Sequence, residues 1–353
     1  MTSRERVRRT FAFEKTDRVP VDYSANRAVH QRIAKALGVL RREEVLEALG
    51  VDFREAVLPY TGERLFPEQP GKKVHPYWGS VTRWAENENG GYWDDCDFPL
   101  ADAPEEVIAG WPLPDPDDFD YSVLRDQREQ FRDHALYYGN PGLVDIMNGV
   151  GMLRRMENIY MDLAMESEEV LCYIDRRLKV QLAIAERVLD AVPDLDLFWT
   201  GEDLGTQRGP LISLEMFRRL LRPRHQPFVD LARSRGIPVM IHSCVSSSWA
   251  FEDFLQMGIT AVDTLQPEAR DMELSDLARR FGGRLAFHGA LSTGKLARMT
   301  PEETAAEVRR LLSIMEPYGG YCLTPSHLIQ DNTPEENVLA IYRTAGSLKG
   351  ETT

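Results

Sequence analysis

Eight short apolar runs recur along the chain, most of them separated by stretches with helical periodicity. They fall at 19–23, 51–58, 143–147, 195–199, 237–241, 260–264, 284–288 and 321–324. Continuous apolar, β-branched runs are what parallel strands buried on both faces require, and intervening helices supply the crossovers that parallel strands need. For eight such units in 353 residues, an α/β chain closed as a (β/α)8 TIM barrel is the economical solution. An open doubly wound sheet is the alternative. Helices are expected at 122–137, 153–164, 168–191 and 214–235, the last kinked near Pro223. Thr2-x-x-Glu5, Thr300-Pro301-Glu302-Glu303 and Thr333-Pro334-Glu335-Glu336 have the form of capping boxes, two of them with Pro at the first helical position.

Residues 59–116 break the alternation. They are rich in Pro and aromatics, including Trp78, Trp84, Trp93 and Trp111. The runs 77–84 and 92–98 flank Asn87-Glu88-Asn89-Gly90-Gly91, which predicts a hairpin. The stretch is too long for a simple connection and too aromatic for a disordered linker. It is expected to be an aromatic-rich insertion between early strands of one barrel domain spanning 1–353, serving as a lid or as a homodimer contact.

Charge excludes one class of partner. With 56 acidic and 42 basic residues, the net charge of -14 argues against a general nucleic-acid surface. No apolar run approaches the roughly 20 residues that span a bilayer, and the N-terminus lacks the apolar core of a signal peptide. Cys96, Cys172, Cys244 and Cys322 are scattered without a disulfide spacing, so a reducing cytoplasmic location is expected. Gly149-Val150-Gly151 lacks the third glycine of a dinucleotide fingerprint.

The run at 237–241 ends in His242-Ser243-Cys244. Alternation along a strand puts His242 and Cys244 on one side at its C-terminal end, where α/β barrels build their sites. Imidazole and thiolate suit zinc, and a third ligand with one open position makes such a site catalytic. The competing reading is a hydrogen-bonded histidine beside an inert buried thiol. Other strand ends supply Tyr23, Arg27, Asn148, Trp199, Gln207, Gln266 and Gln330 as candidate substrate contacts. Glu202 and Asp203 could provide a metal ligand or an acid/base pair, and His288, followed by Gly289, could contact substrate. His327, on the loop after the last strand, is the favoured third ligand. Glu202, His242, His288 and His327 are all expected to open onto one cavity.

Several of these motifs together resemble the uroporphyrinogen decarboxylase superfamily. They are Arg4-Glu5-Arg6-Val7, Asp17-Arg18-Val19-Pro20-Val21-Asp22, Gly201-Glu202-Asp203-Leu204-Gly205-Thr206-Gln207, His242-Ser243-Cys244, Phe287-His288-Gly289 and Pro325-Ser326-His327-Leu328-Ile329-Gln330. The resemblance implies a distorted barrel with its site at the C-terminal mouth. The decarboxylases' paired N-terminal arginines correspond here to Tyr23-Ser24-Ala25-Asn26-Arg27, with one arginine. The corrinoid-dependent methyltransferases of the superfamily use a His-x-Cys pair and a later Cys as zinc ligands. His242 and Cys244 match the pair, His327 stands where the later Cys is expected, and Val245 replaces the usual following Gly. The resemblance thus favours zinc-assisted transfer of a methyl group between a small methylated substrate or thiol and a corrinoid. Because the chain has no Asp-x-His-x-x-Gly segment, the corrinoid is expected on a partner protein. The alternatives are metal-independent decarboxylation of a porphyrinogen or other carboxylated substrate, using Asp22, Arg27, Glu202 or Asp203, and a binding protein that has lost the reaction.

Overall fold

The computed structural model describes residues 1–88 and 90–349. Seven parallel strands form one curled sheet: Phe53–Glu55, Ala135–Gly139, Leu197–Gly201, Val239–His242, Ala261–Leu265, Ala286–Leu291 and Tyr321–Pro325, hydrogen-bonded in chain order. The five from Leu197 onward are almost entirely buried, which is why they read as unbroken apolar runs. The 19–23 run is not a full strand. It contributes one isolated parallel bridge, Val21 to Leu323, because Pro20 lacks an N–H and only a short stretch can pair. Its backbone still touches both edges of the sheet: Leu323 N–H donates to Pro20 O at 2.9 Å, and Asp52 N–H donates to Val21 O at 3.0 Å.

Two expected elements exchange places. The helix expected at 122–137 stops at Gln130, and the following Ala135–Gly139 is the second strand of the sheet. The 143–147 run is no strand. Val144 and Ile146 are buried from a loop that enters the helix Met147–Arg154, with Val144 at φ 68. Burial alone therefore accounts for that run's apolar character. The helix expected at 153–164 is two helices, broken at Arg155 with φ 74. Near Pro223 the expected kink takes the form of a π-helical turn over Phe217–Leu221, ahead of the helix Arg222–Ser234. Proline's missing N–H disrupts the regular ladder there.

Within 59–116, Lys72–Val74, Val81–Asn87 and Gly90–Cys96 make an antiparallel sheet of their own. Trp84 sits opposite Trp93, the rings edge to face at 5.7 Å. Asn89, in the expected turn, lies outside the described residues. A side chain at Gly90 would meet Asp331 Oδ2 at 2.7 Å, so the hairpin tip rests against the loop that follows the last strand.

Two aspartates at the N-terminal ends of strands tie down the first helix. Asp52 is fully buried and accepts from Arg6 Nη1 at 2.5 Å, Arg18 Nη1 at 2.7 Å and Val21 N–H at 2.8 Å. Asp196 accepts from Arg4 Nε at 2.9 Å, Arg8 Nε at 2.5 Å and Arg128 Nη1 at 2.7 Å. These clusters lie at the end of the sheet opposite the strand C-termini. No described helix is long and apolar enough to cross a membrane.

Candidate active site

Parallel register aligns Gly201 with His242 and His242 with Asp263, so neighbouring strands present their terminal side chains at one level. Asp263 bridges two imidazoles. Its Oδ2 lies 2.6 Å from His242 Nδ1 and its Oδ1 lies 2.5 Å from His288 Nδ1. Burial raises the cost of the Asp263 charge, but His288 and His242 outweigh it and hold the carboxyl at about 2. Burial likewise opposes charge on His288, yet Asp263 and Asp22 lift it to about 9. His242 is also raised, chiefly by Asp263 acting against burial. His288 Nε2 stands 3.3 Å from Asp22 Oδ2 but makes no hydrogen bond.

With Nδ1 engaged by Asp263, His242 turns Nε2 toward Asp203, 3.6 Å from its Oδ1. Asp203 is fixed from two sides: Oδ1 accepts from Cys244 N–H at 3.0 Å and Oδ2 from Asn148 Nδ2 at 2.9 Å. Asp203, His242 and Cys244 each offer a ligand atom, all within 4.8 Å of one another. Burial and then the Asp203 charge push the Cys244 thiol far up, so it carries its proton. Val245 follows at φ 54, a left-handed conformation that favours glycine, the residue that the resemblance leads one to expect there. Gln266 holds that turn, its Oε1 accepting from Val245 N–H at 2.8 Å.

Two chambers meet at His242. A main cavity of about 830 Å³ is lined by Asp22, Tyr23, Trp199, Asp263, His288 and His327, among others. A side chamber of about 410 Å³ shares His242 with it and reaches Asp203 and Asn148. In the main cavity, Tyr23 Oη, Trp199 Nε1 and His288 Nε2 are buried without hydrogen-bond partners. Each can donate to a ligand atom.

Several expected placements need correction. Glu202 does not open onto the cavity. It is completely buried and accepts from Ile146 N–H at 3.0 Å and Met147 N–H at 3.1 Å, with His225 Nε2 2.9 Å from its Oε2. Burial pushes Glu202 up to about 8 and drives His225 down to about 4. It ties the end of its strand to a helix start rather than meeting a ligand. His327 lines the main cavity with His242 and His288 but is not in the Asp203 cluster, where the carboxylate stands instead. Arg27 is exposed as the first residue of its helix and lines neither chamber. Gln207 and Gln266 line a separate surface depression with Lys295 and Arg298. Gln330 is exposed and donates to Leu328 O at 2.7 Å. Sequence reasoning places Asp263 at a strand end with Gln266 but assigns it no role, although its position one strand over from His242 is the signal for one. Asp145, beside Asn148, and His225 were also missed.

Residues 146–348 match the family model described as uroporphyrinogen decarboxylase (URO-D). Among solved structures, a methyltransferase from Methanosarcina mazei shares the fold with a TM-score of 0.63 and 17% identity, over 98% of each chain. No curated protein matches the sequence.

Proposed function

The chain belongs to the uroporphyrinogen decarboxylase family, and from that premise we propose a methyltransferase. It moves a methyl group between a small methylated substrate or thiol and a corrinoid on a partner protein, assisted by zinc. The observation that carries this reading is the convergence of Asp203, His242 and Cys244. Carboxylate oxygen, imidazole nitrogen and thiol sulfur form a donor set that suits zinc, and three protein ligands leave a position for substrate. The Asp263–His242 pair is the orienting partner that metal-bound histidines characteristically have. The fold shared with a methyltransferase favours the same branch.

Zinc held there would act as a Lewis acid, lowering the pKa of a substrate thiol or activating a leaving group. The chain's own groups do the rest. Asp263 fixes the His242 ring, and Cys244 must give up its proton to become a ligand, so zinc affinity falls as pH drops. Tyr23, Trp199 and charged His288 offer donors to an acceptor atom in the main cavity. That cavity gives a corrinoid carried by a partner access to His242.

A decarboxylase reading draws on Asp22, which lines the main cavity beside charged His288 and could pass a proton. Arg27 gives it no help. The separating experiment gives the zinc-loaded protein methylcobalamin and a thiol and follows the cobalamin spectrum. Thiol-dependent demethylation is expected, reduced by on the order of 10²–10³ in Cys244→Ser. Carbon dioxide release from a porphyrinogen with no zinc dependence and no demethylation would overturn methyl transfer in favour of decarboxylation.

A further inference from the structure

Among the described residues four arginines are buried, and one of them differs from the rest. Arg6 pairs with Asp52, Arg54 with Glu43 and Arg128 with Asp196. Arg177, on the helix Glu168–Ala191 and 7% exposed, forms no ion pair among the described residues. Its Nη1 donates to Gly149 O at 2.7 Å and reaches Tyr173 Oη at 3.5 Å, while Nε has no partner. A buried guanidinium is ordinarily matched by an anion, because its solvation is lost.

Arg177 faces a chamber that a ligand can enter. Arg177 lines the side chamber together with Gln181, one helical turn on, which is 5% exposed and whose amide oxygen has no partner. The two ends of an amide exchange by rotation, so Gln181 can present N–H donors to the same ligand. Trp78 covers the guanidinium, its ring centroid 4.4 Å from Arg177 Cζ. At Gly149 a side chain would meet Arg177 Nη2 at 2.9 Å, so glycine there leaves the guanidinium room. His75, Tyr77, Phe119 and Tyr138 give the chamber aromatic walls.

We propose that the side chamber binds the carboxylate of a small organic acid, with Arg177 and Gln181 holding the carboxylate and the aromatic walls its apolar body. The chamber also reaches Asp203 and His242, so the acid's other end lies toward them. That this acid is the methylated substrate rests on the methyl-transfer reading; the carboxylate site itself does not. The insertion, through Trp78, then contributes to substrate recognition as well as to surface.

The test is calorimetric titration of the full chain with benzoate, benzyl alcohol and inorganic phosphate, each with and without zinc. Benzoate is expected to bind the parent, and Arg177→Met to weaken it by about 10–100-fold. Arg177→Lys should fall between the two, and benzyl alcohol should bind more weakly and respond to neither change. Phosphate should not displace benzoate. Should Arg177→Met fail to fold, Gln181→Leu is the second variant, with a severalfold loss expected. Absence of benzoate binding, equal binding by parent and folded Arg177→Met, or displacement by phosphate would each overturn the carboxylate site. Arg177-dependent benzoate binding in a protein that takes up no zinc would sink the methyl-transfer reading and leave this site standing.

Discussion

Asp263→Ala is expected to lower zinc affinity by about 10–100-fold and methyl transfer with it, although Asp263 is outside the Asp203–His242–Cys244 group of ligand atoms. Its two oxygens hold His242 and His288 at 2.6 and 2.5 Å. Without it His242 can rotate, and Nε2 is no longer presented beside Asp203. The same change has a pH consequence for stability. His288 is raised from 6.5 to about 9 despite burial, so its contribution is complete below its ordinary value and lost as pH rises through about 9. Asp263 is lowered from 3.8 to about 2 despite burial, so its contribution is present above its ordinary value and lost as pH falls through about 2. Denaturant unfolding of the parent should therefore show both contributions in full between pH 3.8 and 6.5, fading toward about 2 on the acid side and about 9 on the basic side. Asp263→Ala should flatten the decline at high pH. An unchanged zinc affinity and an unchanged pH profile in that variant would remove Asp263 from the account.

Asp52→Ala is expected to destabilise the fold by about 3–5 kcal/mol, the cost of leaving buried charge without its partner. Two arginines and the Val21 N–H lose their common acceptor, and Val21 is the residue that bridges to the last strand. The urea midpoint should fall accordingly. A loss below about 1 kcal/mol, the size of a surface ion pair, would mean that this network does not hold the N-terminal segment against the sheet.

That network shows what the sequence could and could not reveal. Arg6, Asp17 and Arg18 were legible as motifs, yet their partner Asp52 was not, because long-range pairing leaves no local spacing. Arg6 in fact bonds both Asp17 and Asp52. The strands from 195 onward were legible because burial on both faces makes them continuously apolar. Ala135–Gly139 was hidden directly behind an amphipathic helix, whereas the 143–147 run had a strand's composition and a loop's backbone. At the site, the i, i+2 spacing of His242 and Cys244 was enough to put them together. Choosing between Glu202 and Asp203 required the chain's exit from its strand. Glu202 N–H bonds His242 O at 2.9 Å while its carboxylate runs back to the helix start, and the next residue turns to the site. The reach of His327 depended on loop geometry, which composition does not encode. Arg177 was invisible for another reason: on a long helix a charged residue reads as a solvated face until its burial without an acidic side-chain partner among the described residues is seen.

Zinc content per chain tests the central claim most directly, measured on protein grown with zinc and purified without chelator. The parent and His327→Ala are predicted to hold roughly one zinc per chain, and Asp203→Ala and Cys244→Ser to hold little or none while remaining folded. A parent without zinc, or zinc that survives Asp203→Ala but is lost in His327→Ala, would contradict the Asp203–His242–Cys244 site.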